Sequence, residues 1–461
     1  MLLILILDAV LRENGREIIV AITVIVLAGT TIFLFMRDDL GDQNMFKFGV
    51  FFRVFSAIAL LSSIIVVFSA WKDMNLELDL GVFFSLLLLA NIGGMLIASS
   101  RNMIPLYIGY ELVSIPTYGM VAFRKRNRAS AEASMKIFLL GALSSAIMIY
   151  GLSMYYGATG GFTMGLEALP DSKGLQILAV VLIAVGSGFK IGLIPFHLWI
   201  PDVYTGASIS VVNFLSASSK KMAFAFVFQL FFVGMPFWAN NWSILFAVLA
   251  TLSMIIGNIA AVVQNRVMRI IAYSTIAQAG YIAIGIATYG VGLEKQNTSL
   301  MNTSMEGLLF HIIAHVLMKG AAIAAILLVI DSFGDDNIDN FRGLFHKDPI
   351  IAGSLAISFF SLMGIPPTMG FFGKFFLFLA AVEADMIWLA FIGVVGSAIS
   401  IFYYARIIRI MADQPTDDTE MREFTPIKVL LVLLTIMTLI LAVLGQTIAE
   451  SAADIVAELN N

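Results

Sequence analysis

Lys190 and Lys220 lie deep inside apolar runs, in the stretch GSGFKIGLIPFHLWIPDVYTGASISVVNFLSASSKK, and Lys374 lies in another at GIPPTMGFFGK. An ammonium at the centre of a membrane helix costs about 2.5–3.5 kcal/mol on insertion scales, so such residues are mostly functional and mostly partnered. Glu111, mid-run in LYIGYELVSIPTY, is the matching acid. A lone buried carboxylate would take up a proton, whereas a cationic neighbour keeps it charged. Lys190, deep in its own run, is the natural partner. His311, His315 and Lys319 fall at i, i+4 and i+8 in FHIIAHVLMKG and so share one helix face. Imidazoles titrate near neutral pH and can pass protons between neighbours. A desolvated lysine can release its proton near neutrality and regain it when a carboxylate approaches. Acids, imidazoles and amines spread over several helices therefore suit the storage and transfer of protons. Loosening a Glu111–Lys190 contact would alter the proton affinity of Lys220 through electrostatics alone, and a tenfold change in that affinity takes only about 1.4 kcal/mol. Lys136, near the start of its run, suits either this relay or snorkelling to the membrane surface. Lys221 points about 100° away from Lys220, towards a different environment.

Other chemistries fit these residues less well. A zinc site at His311 and His315 lacks a glutamate after the first histidine, and Lys319, next on that face, is no metal ligand. A static Glu111–Lys190 pair would fix helix packing, but buried pairs add little net stability. Histidines hydrogen-bonded to backbone or water remain an alternative for His311 and His315. His197 and His346, near the ends of apolar runs, read as structural. No nucleophile–base set or phosphate loop is visible, and GATGG (Gly157–Gly161) follows an apolar run rather than a strand, so it reads as a turn. With no cysteine, disulfides, iron–sulfur clusters and thiolate metal sites are excluded. A net charge of −4 spread over loops offers no basic face to nucleic acid. Neither a cofactor nor a metal is expected in this chain.

The elements that must hold these residues are membrane helices. Hydrophobic residues make up 60% of the chain and charged ones 13%, with a mean hydropathy of +0.94, against roughly 25% charge in average globular chains. An all-α polytopic membrane protein surrounded by lipid follows. Taking about 20 apolar residues per crossing, the runs number about fourteen. They begin with a short one at 1–11 and include 102–123, 133–156, 175–199, 206–234, 267–288, 306–330, 349–381 and 426–446. The opening MLLILILDAVL has neither a basic leader nor a clear cleavage site, so it reads as a first helix that is short or lacks its upstream half rather than as a signal peptide. Pro195 and Pro201 interrupt one run and the paired prolines of GIPPTMGFFGK another, each beside a buried lysine. Irregular backbone at membrane depth survives only where protein or water satisfies it, and one broken helix in each half points to a transporter-type repeat. With the Arg124–Arg128 loop inside, fifteen of the 27 Lys and Arg fall inside, six outside and six within spans. That bias places both termini outside. Asp413–Glu423 is an acidic surface loop, and the tail after Gly445 forms an amphipathic helix with Ile448, Ala452, Ile455 and Leu459 on one side.

Several long motifs resemble the antiporter-like subunits of respiratory complex I, most closely subunit N, the mitochondrial ND-two type. They are LYIGYELVSIPTY, EASMKIFLLGALSSAIMIYG, GFKIGLIPFHLWIPDVYTGAS, FLSASSK, GNIAAVVQ, AYSTIAQAGY, FRGLF, GIPPTMGFFGKF and GSAISIFYYARI, spread from about Leu80 to Arg409. The resemblance implies about fourteen transmembrane helices with two inverted five-helix repeats, each with a broken helix. The implied divisions are N-terminal flanking helices (1–79), a first repeat (80–234), a second (241–411), and a C-terminal helix and tail (426–461). It also implies redox-driven proton translocation with no redox cofactor in this chain. By similarity Glu111 and Lys190 look like the family's carboxylate–lysine pair, Lys220 like its central lysine, Lys374 like the lysine of the outward half-channel, and Lys136 like a further lysine of subunit N. Two departures stand out. FHIIAHVLMKG resembles the His-His-Lys helix of the larger antiporter-like subunits and of Mrp-type cation antiporters, and Gln278 stands where many relatives have His. These departures fit a deep-branching complex, such as an archaeal deazaflavin-oxidising one. The function expected is that of a proton-translocating membrane subunit of a complex I-like oxidoreductase. Its donor would be NADH, ferredoxin or a deazaflavin, and its acceptor a quinone or phenazine. It would sit beside antiporter-like paralogues in a prokaryotic cell membrane. An Mrp-type cation/proton antiporter subunit is the alternative, and a scaffold with frozen ion pairs a third reading.

Overall fold

The computed structural model describes residues 1–11, 15–37, 41–42, 45–73, 80–124, 127–416, 420–422, 424–441 and 445–460. Arg12, Lys125 and Arg126, counted above for orientation, lie outside the described residues, as do 417–419 and 423 of the acidic loop.

Helices α1 (Leu2–Leu11), α2 (Arg16–Met36), α3 (Val50–Asp73), α4 (Leu80–Ser99) and α5 (Met103–Val121) lead into α6 (Arg128–Thr159), α7 (Lys173–Ile191) and α8 (Trp199–Gly206). Next comes α9, a continuous rod over 209–233 with two π-helical turns, Phe214–Ser219 and Gln229–Val233. The chain continues through α10 (Ala239–Val262), α11 (Val267–Glu294), α12 (Thr298–Phe333), α13 (Pro349–Met363) and α14 (Met369–Glu383). It ends with α15 (Ile387–Ala412), α16 (Thr425–Ile440) and α17 (Gly445–Leu459). Nine of the described helices are long and apolar enough to cross a membrane: α2, α3, α4, α6, α7, α10, α11, α12 and α15. The remaining expected spans are shorter, more polar or interrupted. α5 carries Glu111, two prolines and three tyrosines, and α13 and α14 are the two halves of the expected 349–381 run. The amphipathic tail is α17, with Ile448, Ala452, Ile455, Val456 and Leu459 buried.

Polar residues start several of these rods. The Asn127 side chain accepts from the Ala129 and Ser130 N–H groups at the head of α6, Asn297 from Leu300 at α12, and Asp348 from Ile350 and Ile351 at α13. Each satisfies donors that a helix start leaves without partners. α11 and α12 are buried almost throughout. α12 is the central post, packed on α11, α13, α14, α16, α17, α3 and α9.

The two interruptions are built alike. α7 ends at Gly192 with φ 77°, and α13 ends at Gly364 with φ 86°, left-handed positions that suit glycine. The Leu193 N–H reaches back to the Gly188 carbonyl at 3.0 Å, and the Ile365 N–H to Phe360 at 3.1 Å. Prolines follow each turn, and both breaks contain a cis X–Pro bond, at Ile194–Pro195 and Pro366–Pro367. The expected run 175–199 therefore stops as a helix at Ile191 and resumes at Trp199.

Candidate functional site

Each break leaves helix-end carbonyls that need donors. At the second, the Lys374 amine donates to the Leu362 and Met363 carbonyls at 2.9 and 3.0 Å, while the Gln278 amide donates to Leu362 at 3.1 Å. At the first, the Trp199 indole N–H serves the Phe189 carbonyl at 2.9 Å. The Lys220 amine lies against the same turn, so that a Cβ on Gly192 would sit 3.1 Å from its Nζ. Lys220 Nζ itself is buried and has no hydrogen-bond partner among the described residues. Both lysines thus face the C-terminal end of a half-helix, where the backbone dipole favours a cation.

Glu111 and Lys190 face each other indirectly. No ion pair within 4.0 Å joins them among the described residues; Ser145 Oγ donates to Glu111 Oε1 at 2.5 Å, and Lys190 Nζ donates to Ser114 Oγ at 3.1 Å. The carboxylate acts on the amine by charge across that gap. Aromatic faces complete the seat, with Lys190 Nζ 5.6 Å from the Tyr118 ring and 5.9 Å from Tyr110. Glu111 is half-buried, on the face of α5 that also carries exposed Ile104, Ile108 and Ile115. Between Lys190 and Lys220 lies a cavity of about 10 Å³, walled by Tyr118, Ile137, Trp199 and Leu215. That is about the room one water needs.

Beyond Lys220 the line crosses to α12. Lys221 Nζ meets His315 Nδ1 at 2.7 Å, and Lys319 Nζ donates to the Ile271 carbonyl and Ser274 Oγ at 3.0 and 2.9 Å. His311 Nε2 pairs with Gln278 Oε1 at 2.9 Å, and Gln278 shares the Leu362 carbonyl with Lys374. Lys374 Nζ stands 4.5 Å over the Tyr281 ring. His311, His315, Lys319, Lys190, Lys220 and Lys374 are all at most 5% exposed. They follow one another through the interior, Lys190 across the small cavity from Lys220, Lys221 against His315, and His311 joined through Gln278 to the carbonyl that Lys374 holds.

Lys136 stands apart from that line. It is 40% exposed and pairs with Asp202 of α8 and Glu132 of its own helix, both at 2.7 Å. His197 is half-buried at the first break and His346 is exposed. No group of three or more His, Cys, Asp or Glu able to hold a metal occurs among the described residues. Sequence reasoning left Lys221, Gln278, Ser114, Ser145 and Ser274 out of the site. Lys221 carried a signal as a second buried charge beside Lys220, and Gln278 carried one by standing where many relatives have His. Serines in apolar helices carry none.

The profile of a family described as NADH:quinone oxidoreductase/Mrp antiporter, transmembrane, matches residues 100–400. F(420)H(2) dehydrogenase subunit N of Methanosarcina mazei is 38% identical over 384 residues, covering 80% of this chain and 74% of its own. NADH-quinone oxidoreductase subunit N of Desulforamulus reducens is 35% identical over 434 residues, covering 93% and 89%. Among solved structures, a chain of respiratory complex I from Thermus thermophilus is 29% identical with a TM-score of 0.82, covering 98% of this chain and 97% of that one. A chain of the Mrp complex from Dietzia shares the fold, with a TM-score of 0.84 at 18% identity, covering 99% and 94%. On the match over residues 100–400 and on these subunit N relatives, this chain belongs to the NADH:quinone oxidoreductase/Mrp antiporter transmembrane family.

Proposed function

We propose that this chain is a proton-translocating membrane subunit of a complex I-like oxidoreductase, moving protons through its buried bases while other subunits carry out the redox chemistry. The observation that carries this reading is the interior line from Lys190 to Lys374, which crosses between the halves at the 2.7 Å Lys221–His315 contact. Relatives named as dehydrogenase and quinone oxidoreductase subunits support a redox-driven complex over the Mrp-type alternative. The electron donor would be NADH, ferredoxin or a deazaflavin and the acceptor a quinone or phenazine. No redox cofactor would reside in this chain.

In this reading the Glu111 carboxylate sets how firmly Lys190 holds its proton. When that grip slackens, Lys190 repels a proton on Lys220 less, and Lys220 loads; when it tightens, Lys220 unloads. An amine without fixed partners, held at a half-helix C-terminus, is suited to change occupancy. His315, His311 and Gln278 offer the onward steps to Lys374, and Lys136 at the edge would tune charge near α8 rather than carry the proton. Residues 80–234 and 241–411 would act as inverted repeats, each supplying one broken helix, flanked by 1–79 and 426–461. The chain would sit in a prokaryotic cell membrane beside antiporter-like paralogues, with both termini outside.

The test is Lys220→Ala in the assembled complex, with proton translocation measured against electron transfer in sealed vesicles. Loss of redox-driven translocation at normal complex levels is the expected result. Undiminished translocation would leave a scaffold with fixed ion pairs as the better account. Co-isolation with quinone-site and iron–sulfur subunits separates this reading from an Mrp-type antiporter.

A further inference from the structure

The rod that carries Lys220 and Lys221 is pinned to α3 by three polar rungs. At its head, the Ser210 N–H and Oγ donate to Asp73 Oδ2 at 3.0 and 2.8 Å. One turn on, the Asn213 amide donates to Ser69 Oγ at 2.9 Å. The third rung sits in the π-helical turn Phe214–Ser219, where Ser218 Oγ lies 3.1 Å from Ser63 Oγ and donates to the Ala59 carbonyl at 3.4 Å. Asn91 of α4 backs this rung, its amide donating to Ser63 Oγ and to the Leu87 carbonyl, both at 2.8 Å. Ser63, Asn91 and Ser218 are at most 2% exposed. Elsewhere in these helices a buried serine hydroxyl turns back to the carbonyl four residues earlier, as Ser114, Ser187, Ser253 and Ser358 do. Ser218 bonds across to α3 instead.

Register explains why that bond matters. Ser210 and Asn213 share one face, and an unbroken α-helix would bring Ala217 to it next. A π turn, bonded to the fifth residue back, takes up an extra residue, and here the Lys220 N–H reaches the Leu215 carbonyl. Ser218 therefore arrives where Ala217 would have been. One residue is a rotation of about 100°, and everything beyond the turn shares it. Without the turn, and with the head still pinned at Asp73, Lys220 would point where Lys221 points now, towards His315. Lys221 would swing a further 100° or so away. We propose that Ser63 and Asn91 are positioning residues for both lysines: through Ser218 they hold the π-helical turn, which aims Lys220 at Gly192 and Lys221 at His315. This rests on the proton-translocation reading above. The turn also seats Lys221 directly, since its Ser216 carbonyl accepts from the Lys221 amine at 3.3 Å, beside the 2.7 Å contact with His315.

The test uses vesicles holding the whole complex, with oxidation of NADH or reduced F420 and acidification of the lumen followed together. Ser218→Ala removes the hydroxyl at the turn and leaves Ser63 and Asn91 bonded to each other. It should lower translocation by roughly threefold, what one neutral hydrogen bond is worth in an equilibrium, at normal complex levels. Deleting Ala217 from that variant takes out the extra residue, so that a plain α-helix aims both lysines as before. Translocation should then recover to at least about half of the starting rate. A residue that served packing alone would gain nothing from the deletion. Thr288→Val, which breaks the buried 2.8 Å hydroxyl pair with Ser304 between α11 and α12, should change nothing. A Ser218→Ala variant that pumps like Thr288→Val, or an assembled deletion that does not recover, overturns the positioning role. If the deletion does not assemble, a density map of the Ser218→Ala complex decides. An unbroken α-helix with Lys221 turned from His315 supports the role, and an intact π turn and contact overturn it. Lys220→Ala in the same vesicles separates the two failures. If it pumps normally, the proton-translocation reading falls and the positioning role with it. If it stops pumping while Ser218→Ala is unaffected, only the positioning role is lost.

Discussion

The two broken helices share a backbone and differ in what their lysines do. At Gly364 the amine of Lys374 is tied to two carbonyls of the helix end, at 2.9 and 3.0 Å, and a neutral amide, Gln278, shares one of them. At Gly192 an indole has taken the corresponding role, and Lys220 is left against the turn without a bonded partner among the described residues. Among the described residues, only the first half adds a carboxylate near its bases, Glu111. The same turn therefore serves as a fixed seat in one half and an adjustable one in the other. A site that must change its proton occupancy needs the second kind.

Replacing each lysine by methionine should expose that difference most strongly. Both variants should lose translocation. Lys374→Met, however, strips donors from buried carbonyls and should destabilise the fold by about 1–3 kcal/mol. Lys220→Met removes an amine with no bond to lose and should leave the thermal midpoint of the purified complex unchanged or higher. Equal destabilisation of both would erase the distinction. Next in size is alanine at the two glycines. Either variant puts a Cβ on a left-handed residue, a strain of about 1–2 kcal/mol. Gly192→Ala also drives its Cβ into Ile200 Cδ1, whereas Gly364→Ala meets Lys374 Cδ at 3.0 Å. Gly192→Ala should therefore lower complex yield further.

Glu111→Gln should slow translocation roughly tenfold, the consequence of a proton affinity altered by about 1.4 kcal/mol. Electron transfer measured in uncoupled membranes should be spared. Unaltered coupling would mean that the first half carries no electrostatic switch.

Why these lysines were visible in the sequence follows from their cost. A charge in an apolar run is rare enough to read directly, and proline pairs beside glycine read as helix breaks. His311, His315 and Lys319 shared a face because helical spacing dictates it. The spacing that Glu111 and Lys190 adopt was hidden, since Ser114 and Ser145 are ordinary residues in apolar helices and sequence gives no interhelical distance. Lys221 was known to turn away from Lys220, but not that it would meet His315. The π-helical turn at Phe214–Ser219, which precedes both lysines, has no signature in a single sequence. Hydroxyl pairs such as Ser274–Tyr404 need two helices in place before they exist.

The smallest expected effect lies at the membrane surface near the second half. Lys295 donates to Asp385 at 2.7 Å across the α11–α12 and α14–α15 turns, and this bond holds the Asp385 carboxyl below its ordinary range. A carboxyl so depressed stabilises the fold above its unfolded pKa, and the contribution fades as pH falls through the folded value. Both side chains are open to water, so Asp385→Asn should leave translocation intact and slightly flatten the acid limb of the stability profile.

The most direct test of proton transfer through the adjustable half is a map of the assembled complex at a resolution that shows ordered water. The account predicts a water in the small cavity between Lys190 and Lys220, bonded towards both amines. A dry, filled contact there, with nothing to carry a proton from one amine to the other, would contradict it.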